Sequence, residues 1–228
     1  MKTIGLLGGM SFESTITYYQ LINQTINKQL GGLHSAKIIL YSVDFQEIEQ
    51  CQAAGDWDKS AEILIDAALR LKKAGADYLV ICTNTMHKVA PQIQQAIGLP
   101  LLHIAQVTAD ALKQANIHRV ALLGTRYTME QDFYKALIIQ AGIDVLIPDE
   151  NDRLQVNRII YDELCHGQIK SESKQIYLAI INKLISQGAQ GIILGCTEIG
   201  LLINQQDVSV QVFDTTLLHA NAAAISAI

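Results

Sequence analysis

The chain alternates short apolar runs with longer stretches of helical spacing, and the polar turns that follow the runs carry most of its chemistry. Thr3–Leu7 is an apolar run closed by Gly8-Gly9-Met10-Ser11, and a helical pattern follows to about Leu30. Ser11 suits the N-cap of that helix, with Glu13 as the acidic residue of its first turn. Lys37–Ser42 predicts a second strand and Asp44–Cys51 a short helix. Asp56 then caps an amphipathic helix with apolar positions at Ala61, Leu64, Ile65, Ala68 and Leu71, ended by Gly75. Tyr78–Ile81 reads as a buried strand running into Cys82-Thr83-Asn84-Thr85-Met86-His87. A helix continues from there to about Ile97, and Pro100 opens a strand near Leu101–Ile104.

The second half repeats this grammar. Val120–Leu123 is a strand, followed by Gly124-Thr125-Arg126-Tyr127-Thr128 and a helix to about Gln140. Helices are predicted over roughly Asp152–Cys165 and Glu172–Ser186, and Gly188 closes the latter. The Ile192–Leu194 strand delivers Gly195-Cys196-Thr197-Glu198, and Val210–Phe213 and Leu217–Ile228 supply a last strand and helix. The interval from Gly8 to Thr83 nearly equals that from Gly124 to Cys196, and a helix-ending Gly-Ala precedes the motif-bearing strand in both halves. This predicts two similar α/β units, residues 1–100 with 211–228 and residues 101–210. Ligands of open α/β sheets sit beyond the carboxyl ends of the strands, so the polar loops are expected on opposite sides of one cleft.

Composition narrows the function. Of 228 residues half are hydrophobic and 17% charged, enough for a sizeable core. A net charge of −5 without any Lys/Arg run argues against nucleic acid or an anionic membrane as partner. Met1–Met10 is too short for a signal peptide, and no stretch approaches a membrane span. Cys51, Cys82, Cys165 and Cys196 are too widely spaced for a zinc site or a disulfide framework, which fits a reducing cytoplasm. The glycine loop at Gly8 could hold an anion such as a carboxylate on free N–H groups or could serve tight packing. It matches neither the dinucleotide nor the ATP fingerprint, so no cofactor is expected.

Cys196 follows a buried strand where a helix could begin, and a helix N-terminus would favour its thiolate. A small apolar residue filling a strand end is the equal alternative. With Thr83-Asn84-Thr85 at the matching place of the first half, the arrangement suits inversion at a carbon. One face removes an α-proton and the other returns it.

Gly8-Gly9-Met10-Ser11, Cys82-Thr83-Asn84-Thr85-Met86-His87, Gly124-Thr125 and Gly195-Cys196-Thr197-Glu198 resemble the aspartate/glutamate racemases that work without pyridoxal phosphate. Ser42-Val43-Asp44-Phe45, Gly124–Glu130 and Ile159–Leu164 look closest to a bacterial branch of aspartate/glutamate or broad-specificity amino-acid racemases. The resemblance implies two flavodoxin-like α/β domains with pseudo-twofold symmetry, a cleft site, an amino-acid substrate, no cofactor and a homodimer. It implies that Asn84, Thr85 and Thr197 bind the α-carboxylate, where each alone would read as an ordinary helix cap, and that Met10, Ser11, Gln52 and Thr125 contact substrate. Glu198 is a candidate to orient the ammonium or tune Cys196, with a solvated helix first turn as the equal alternative.

One departure matters. Most of the family reads Cys-Asn-Thr in the first motif, with that cysteine as one of two acid/base thiols; here Thr83 stands there, and Cys82, one residue earlier, is expected to face away. A free thiol has a pKa of about 8.5, and an alcohol lies nearer water's value of about 15.7. That gap of about 7 pKa units is on the order of 10 kcal/mol. Thr83 can relay or donate a proton but should not abstract one unaided. The resemblance therefore implies an asymmetric site: Cys196 takes the α-proton of the L-enantiomer, Thr83 with a water supplies one to the other face, and L→D outruns D→L.

Other members hold a distal carboxylate with an arginine near the second strand and a lysine where Cys165 stands; neither is evident here, which leaves the substrate side chain open. His87 is a candidate shuttle or a structural residue, His166 and His219 have no evident partner, Cys51 and Cys165 read as packing residues, and Trp57 as core. Two other readings stand beside racemisation: a single-cysteine decarboxylase, and an amino-acid-binding protein without turnover.

Overall fold

The computed structural model describes residues 1–228. The chain divides into two compact units, Met1–His103 with His219–Ile228, and Ile104–Leu218. In the first, β1 (Ile4–Gly8), α1 (Phe12–Leu30), β2 (Ile38–Ser42), α2 (Phe45–Ala54), α3 (Trp57–Lys73), β3 (Tyr78–Ile81), α4 (Ala90–Ile97) and β4 (Leu101–Leu102) build a parallel sheet in the order β2-β1-β3-β4. Every residue of β1 and β3 is buried, which explains why their apolar runs are continuous rather than alternating. Leu6 and Val80 face a core with Tyr18, Ile22 and Ile26 of α1. Leu7 and Ile81 face the opposite core with Leu64, Leu71 and Ile93. Helices therefore cover both faces of the sheet.

The second unit holds α5 (Ile104–Gln114), β5 (Arg119–Gly124), α6 (Arg126–Glu130), α7 (Asp132–Gln140), β6 (Asp144–Leu146), α8 (Glu150–Asp162), α9 (Ser171–Ser186), β7 (Gly191–Gly195) and β8 (Gln211–Asp214). Its sheet runs β6-β5-β7-β8, all parallel, which is the first topology over again. The helix α10 (Thr215–Ala227) begins in this unit, and its residues from His219 onward belong to the first. No helix is long and apolar enough to cross a membrane.

The boundary differs from the sequence reading at both ends. Leu101 and Leu102 pair with Leu79 and Val80, so β4 closes the first sheet. Gln211–Asp214 pairs with β7, so β8 closes the second rather than returning to the first. The run Leu101–Ile104 is not one strand either, since Ile104 already opens α5. Both α5 and β6 were absent from the sequence reading, and the helix expected up to Gln140 is two helices broken at Gln131. Trp57 is half-buried at the edge of the core that holds Leu64 and Ile93, with the Lys88 ammonium 3.9 Å from its ring centroid in a cation–π contact.

Strand register aligns the two units residue by residue. Ile4 pairs with Tyr78 as Val120 pairs with Gly191, and Leu7 pairs with Ile81 as Leu123 pairs with Leu194. Two residues beyond Ile81 is Thr83, and two beyond Leu194 is Cys196. Each occupies the same place in its own sheet.

Candidate active site

In the second unit, β7 ends at Gly195, whose Cα hydrogen is the largest group the turn admits. A Cβ there would lie 2.7 Å from Leu122 Cδ1 and 2.8 Å from the Leu123 carbonyl oxygen. Gly195 pairs with Gly124 of β5, so Cys196 and Thr125 leave adjacent strands side by side. Thr125 caps α6: its hydroxyl accepts from the Thr128 N–H at 3.3 Å and meets the Thr128 hydroxyl at 3.2 Å.

Cys196 is buried, and its thiol donates to Glu198 Oε2 at 3.0 Å. The Thr197 hydroxyl donates to the same oxygen at 2.8 Å. Two consecutive site residues thus converge on the buried carboxylate of the next, Glu198. The expected helix does not follow, for Ile199–Leu201 is a single 3-10 turn and no long helix points its N-terminus at the sulfur. Burial pushes the Cys196 thiol well up, and the negative charge of Glu198 and the neighbouring Cys165 push it further. The thiolate expected from the sequence is therefore corrected. The resting group is a thiol, and the nearest proton acceptor is Glu198.

Sequence reasoning missed part of this surround. Cys165, half-buried on the 3-10 turn Leu164–His166, has its own thiol raised by burial and by the charge of Glu198. Tyr177 of α9 is fully buried, donates to the Val156 carbonyl at 3.2 Å, and is raised by burial first and then by Cys196. Nothing in their local pattern distinguishes them from packing residues.

In the first unit the glycine loop is closed tightly. Gly9 has φ +93°, and a Cβ would lie within van der Waals distance of the Val43 backbone. Its N–H donates to the Thr15 hydroxyl at 2.9 Å, so this donor is committed within the protein rather than open to an anion. Met10 and Ser11 are buried at the end of β1. Ser11 takes the N-cap position of α1, but its side chain makes no capping bond; its carbonyl accepts from the Thr15 hydroxyl at 2.7 Å. Gln52 of α2 is buried and its amide reaches Met86 Sδ at 3.0 Å, bringing it to the turn that follows β3.

That turn carries Thr83, Asn84 and Thr85, all buried, and it winds into a 3-10 turn over Thr85–Val89 before α4. Cys82 is fully buried among Ile4, Leu6, Tyr18 and Val80, and burial alone raises its thiol far above the usual range. His87 is buried, its Nδ1 lying 2.8 Å from the Thr83 carbonyl oxygen. His103, which sequence reasoning passed over, and His219 stand against it with ring centroids 4.6 and 5.7 Å away. His219 also meets the Tyr18 hydroxyl at 2.9 Å through Nδ1 and the Leu102 carbonyl at 2.9 Å through Nε2. Burial lowers His87 well below the usual imidazole range, aided by His103 and His219, and lowers His103 and His219 each to about 4. No group of three or more His, Cys, Asp or Glu side chains is arranged to hold a metal ion.

The structure thus brings Cys196, Thr197, Glu198 and Thr125 together in the second unit, and Met10, Ser11, Gln52, Thr83, Asn84 and Thr85 around the strand ends of the first. His166 is exposed and joins neither set.

The family model of the Asp/Glu/hydantoin racemases matches residues 7–223. A Yersinia pestis protein proposed as an Asp/Glu racemase has a crystal structure similar to this one, with 62% identity, TM-score 0.92, and 100% of this chain and 99% of that one covered. PH1733 of Pyrococcus horikoshii OT3, an aspartate racemase homologue, is 35% identical with TM-score 0.84, over 100% of this chain and 99% of that one. The broad-specificity amino-acid racemase RacX of Bacillus subtilis is 25% identical over 96% of this chain and 95% of its own.

Proposed function

The chain belongs to the Asp/Glu/hydantoin racemase family, and from that premise we propose that it is an amino-acid racemase in which Cys196 and Thr83 divide the proton transfers. The observation that carries this reading is the register of the two sheets, which gives a thiol and a hydroxyl the same place at equivalent strand ends. An acidic amino acid is the proposed substrate, in keeping with the relatives named for aspartate and glutamate; no side chain is assigned to its distal carboxylate.

Proton removal starts from the thiol–carboxylate pair. An ammonium group near Glu198 offsets its charge and lowers the thiol's pKa, since that charge is one of the causes that raise it. Glu198 Oε2, already 3.0 Å from the sulfur, then takes the thiol proton. The resulting thiolate accepts the α-proton of the L-enantiomer, leaving a carbanion. Thr83, relaying from water, protonates the opposite face to give the D-enantiomer; Glu198 releases the proton it took, which neutralises the water-derived hydroxide, and Cys196 is a thiol again because it carries the α-proton. In the reverse direction Thr83 must remove a proton, for which an alcohol is a poor base, so L→D is the faster direction in initial rates.

Asn84, Thr85 and Thr197 are proposed to bind the α-carboxylate, and Met10, Ser11, Gln52 and Thr125 to line the substrate. The four cysteines are free thiols, which supports a reducing cytoplasm as the working compartment. Phe12, Ile16 and Tyr19, exposed at i, i+4 and i+7 along α1, support pairing as a homodimer.

The test is deuterium incorporation at Cα of L-aspartate and L-glutamate in deuterated water, followed by chiral analysis. The account expects exchange and D-product in the unaltered protein, and a loss of about a thousandfold in Cys196→Ala, within the range of acid–base contributions. Exchange undiminished in Cys196→Ala rules out the role of the sulfur. Ligand-dependent melting without exchange into any amino acid would mark a binding protein instead, and carbon dioxide release from an aryl malonate would mark a decarboxylase.

A further inference from the structure

Beyond the residues assigned to the reaction, one buried cluster of titratable side chains has no part in it: the imidazoles of His87, His103 and His219 with the Tyr18 hydroxyl. Bonds to backbone carbonyls set the tautomers of two of them, His219 and His87. A carbonyl oxygen only accepts, so the contact from His219 Nε2 to the Leu102 carbonyl places the proton on Nε2. His219 Nδ1 is then the acceptor for the Tyr18 O–H. His87 faces two backbone carbonyls, that of Thr83, 2.8 Å from Nδ1, and that of Leu102; a neutral ring donates only one proton, and the stronger bond, to Thr83, places it on Nδ1.

The consequences fall on Thr83. It lies between β3 and the 3-10 turn, one residue past Cys82, whose N–H makes the bond to β1 by donating to the Leu7 carbonyl at 2.9 Å. The turn is held from two sides: the His87 backbone N–H donates to the Asn84 carbonyl at 3.1 Å, and the His87 ring donates to the carbonyl of Thr83 itself. The ring in turn is wedged edge-on against His103 and His219, which are anchored to the end of β4 and to α1. A hydroxyl that must present one proton to one face of a carbanion needs its backbone held to a fraction of an ångström.

We infer that His87 is a positioning residue for Thr83, holding the Thr83 carbonyl through Nδ1–H so that the hydroxyl delivers its proton to the carbanion, while proton removal at Cys196 proceeds without it. This rests on the proposed division of labour between Thr83 and Cys196. It separates two events that one substrate reports. Starting from the L-enantiomer in deuterated water, a carbanion reprotonated from the Cys196 side returns as deuterated L, and one reprotonated from the Thr83 side becomes D. The ratio of inversion to retained exchange is independent of how much protein is folded.

Asparagine places an amide N–H near the position of Nδ1, whereas glutamine carries its amide where Nε2 stood. His87→Gln is expected to lower the inversion-to-exchange ratio by roughly five- to tenfold, the scale of one lost neutral hydrogen bond. Total exchange should change by less than about threefold, and His87→Asn should recover most of the ratio. An unchanged ratio in His87→Gln, or inversion and exchange falling in parallel, overturns the inference and leaves the racemase reading standing. No exchange in the unaltered protein ends both. Should His87→Gln fail to fold, imidazole nitrogen NMR of the unaltered protein decides. A protonated Nδ1 on His87 with a proton protected from solvent supports the assignment, and a protonated Nε2 with bare Nδ1 overturns it.

Discussion

Two turns at equivalent places in two copies of one topology have been given different chemistry. The turn after β7 gathers Cys196, Thr197 and a buried carboxylate, Glu198, whose Oε2 receives both the thiol and the hydroxyl. The turn after β3 carries Thr83 and is backed by three imidazoles that burial keeps neutral. The contrast extends to the neighbouring strand. Register aligns Leu102 of β4 with Phe213 of β8, so the next residues correspond: His103 in the first unit, Asp214 in the second. One strand end is organised to receive a proton, and the other is held free of charge. The repeat supplies the scaffold, and the polar residues one or two positions past the strands decide what each copy does.

The same comparison explains why Cys82 is no substitute for the missing thiol. In register it matches Gly195, the position where a side chain in the second unit would collide with Leu122. In the first unit that position turns into the core beside Tyr18, and Cys82 fills it as a small apolar group.

Acid should separate the two units most strongly. His219 has a folded-state pKa of about 4, below the unfolded value of about 6.5. The unfolded chain therefore binds more protons between these values, and the stability held by the neutral ring is complete above about pH 6.5 and lost as pH falls toward about 4. For His219 alone this is on the order of 3 kcal/mol, and His87 and His103 shift in the same direction. In the second unit burial raises Asp214, so the folded state there holds its proton more tightly and acid acts with the opposite sign. Amide hydrogen exchange at about pH 7 and pH 4.5 should show protection lost first over β1, β3, β4 and the His219 end of α10. A uniform loss across both units would contradict the contrast.

A smaller effect isolates the carboxylate. Glu198→Gln removes a charge that raises the thiol, so Cys196 should titrate lower and be alkylated faster by a small reagent at neutral pH. The same change removes the proposed acceptor of the thiol proton, so α-proton exchange should fall by about ten- to thirtyfold. Opposite movements of alkylation and exchange are the signature. A parallel rise in both would assign Glu198 to electrostatic tuning alone.

Much of the fold was legible because its strands are buried on both faces. Ile4–Gly8, Tyr78–Ile81 and Gly191–Gly195 read as unbroken apolar runs between glycine turns, and Asp44, Asp56 and Thr125 cap helices with their own side chains. The elements missed had weaker local signals. The strand β6 has three residues, exposed or half-exposed, on the sheet edge. The start of α5 was masked because Leu101–Ile104 is one apolar run, although Ile104, Thr108 and Leu112 are buried at helical spacing. At the site, Cys196, Glu198 and Thr83 could be named because they cluster within short motifs. His103 was passed over and His219 had no evident partner, because their meeting with His87 depends on how β4 and the last helix pack rather than on any local pattern. The thiolate expectation failed for a related reason: a strand followed by polar residues signals a turn, but not whether a long helix or a single 3-10 turn comes next.

The division of labour between Thr83 and Cys196 is tested most directly by initial rates of α-deuterium exchange from the L- and D-enantiomers of the same amino acid, measured side by side in the unaltered protein and in Thr83→Cys. The account predicts exchange from L at least about a hundredfold faster than from D, a conservative share of the thiol–alcohol difference in basicity, with Thr83→Cys raising the D rate about tenfold or more. Equal rates from the two enantiomers in the unaltered protein, or no gain from D in Thr83→Cys, would contradict it.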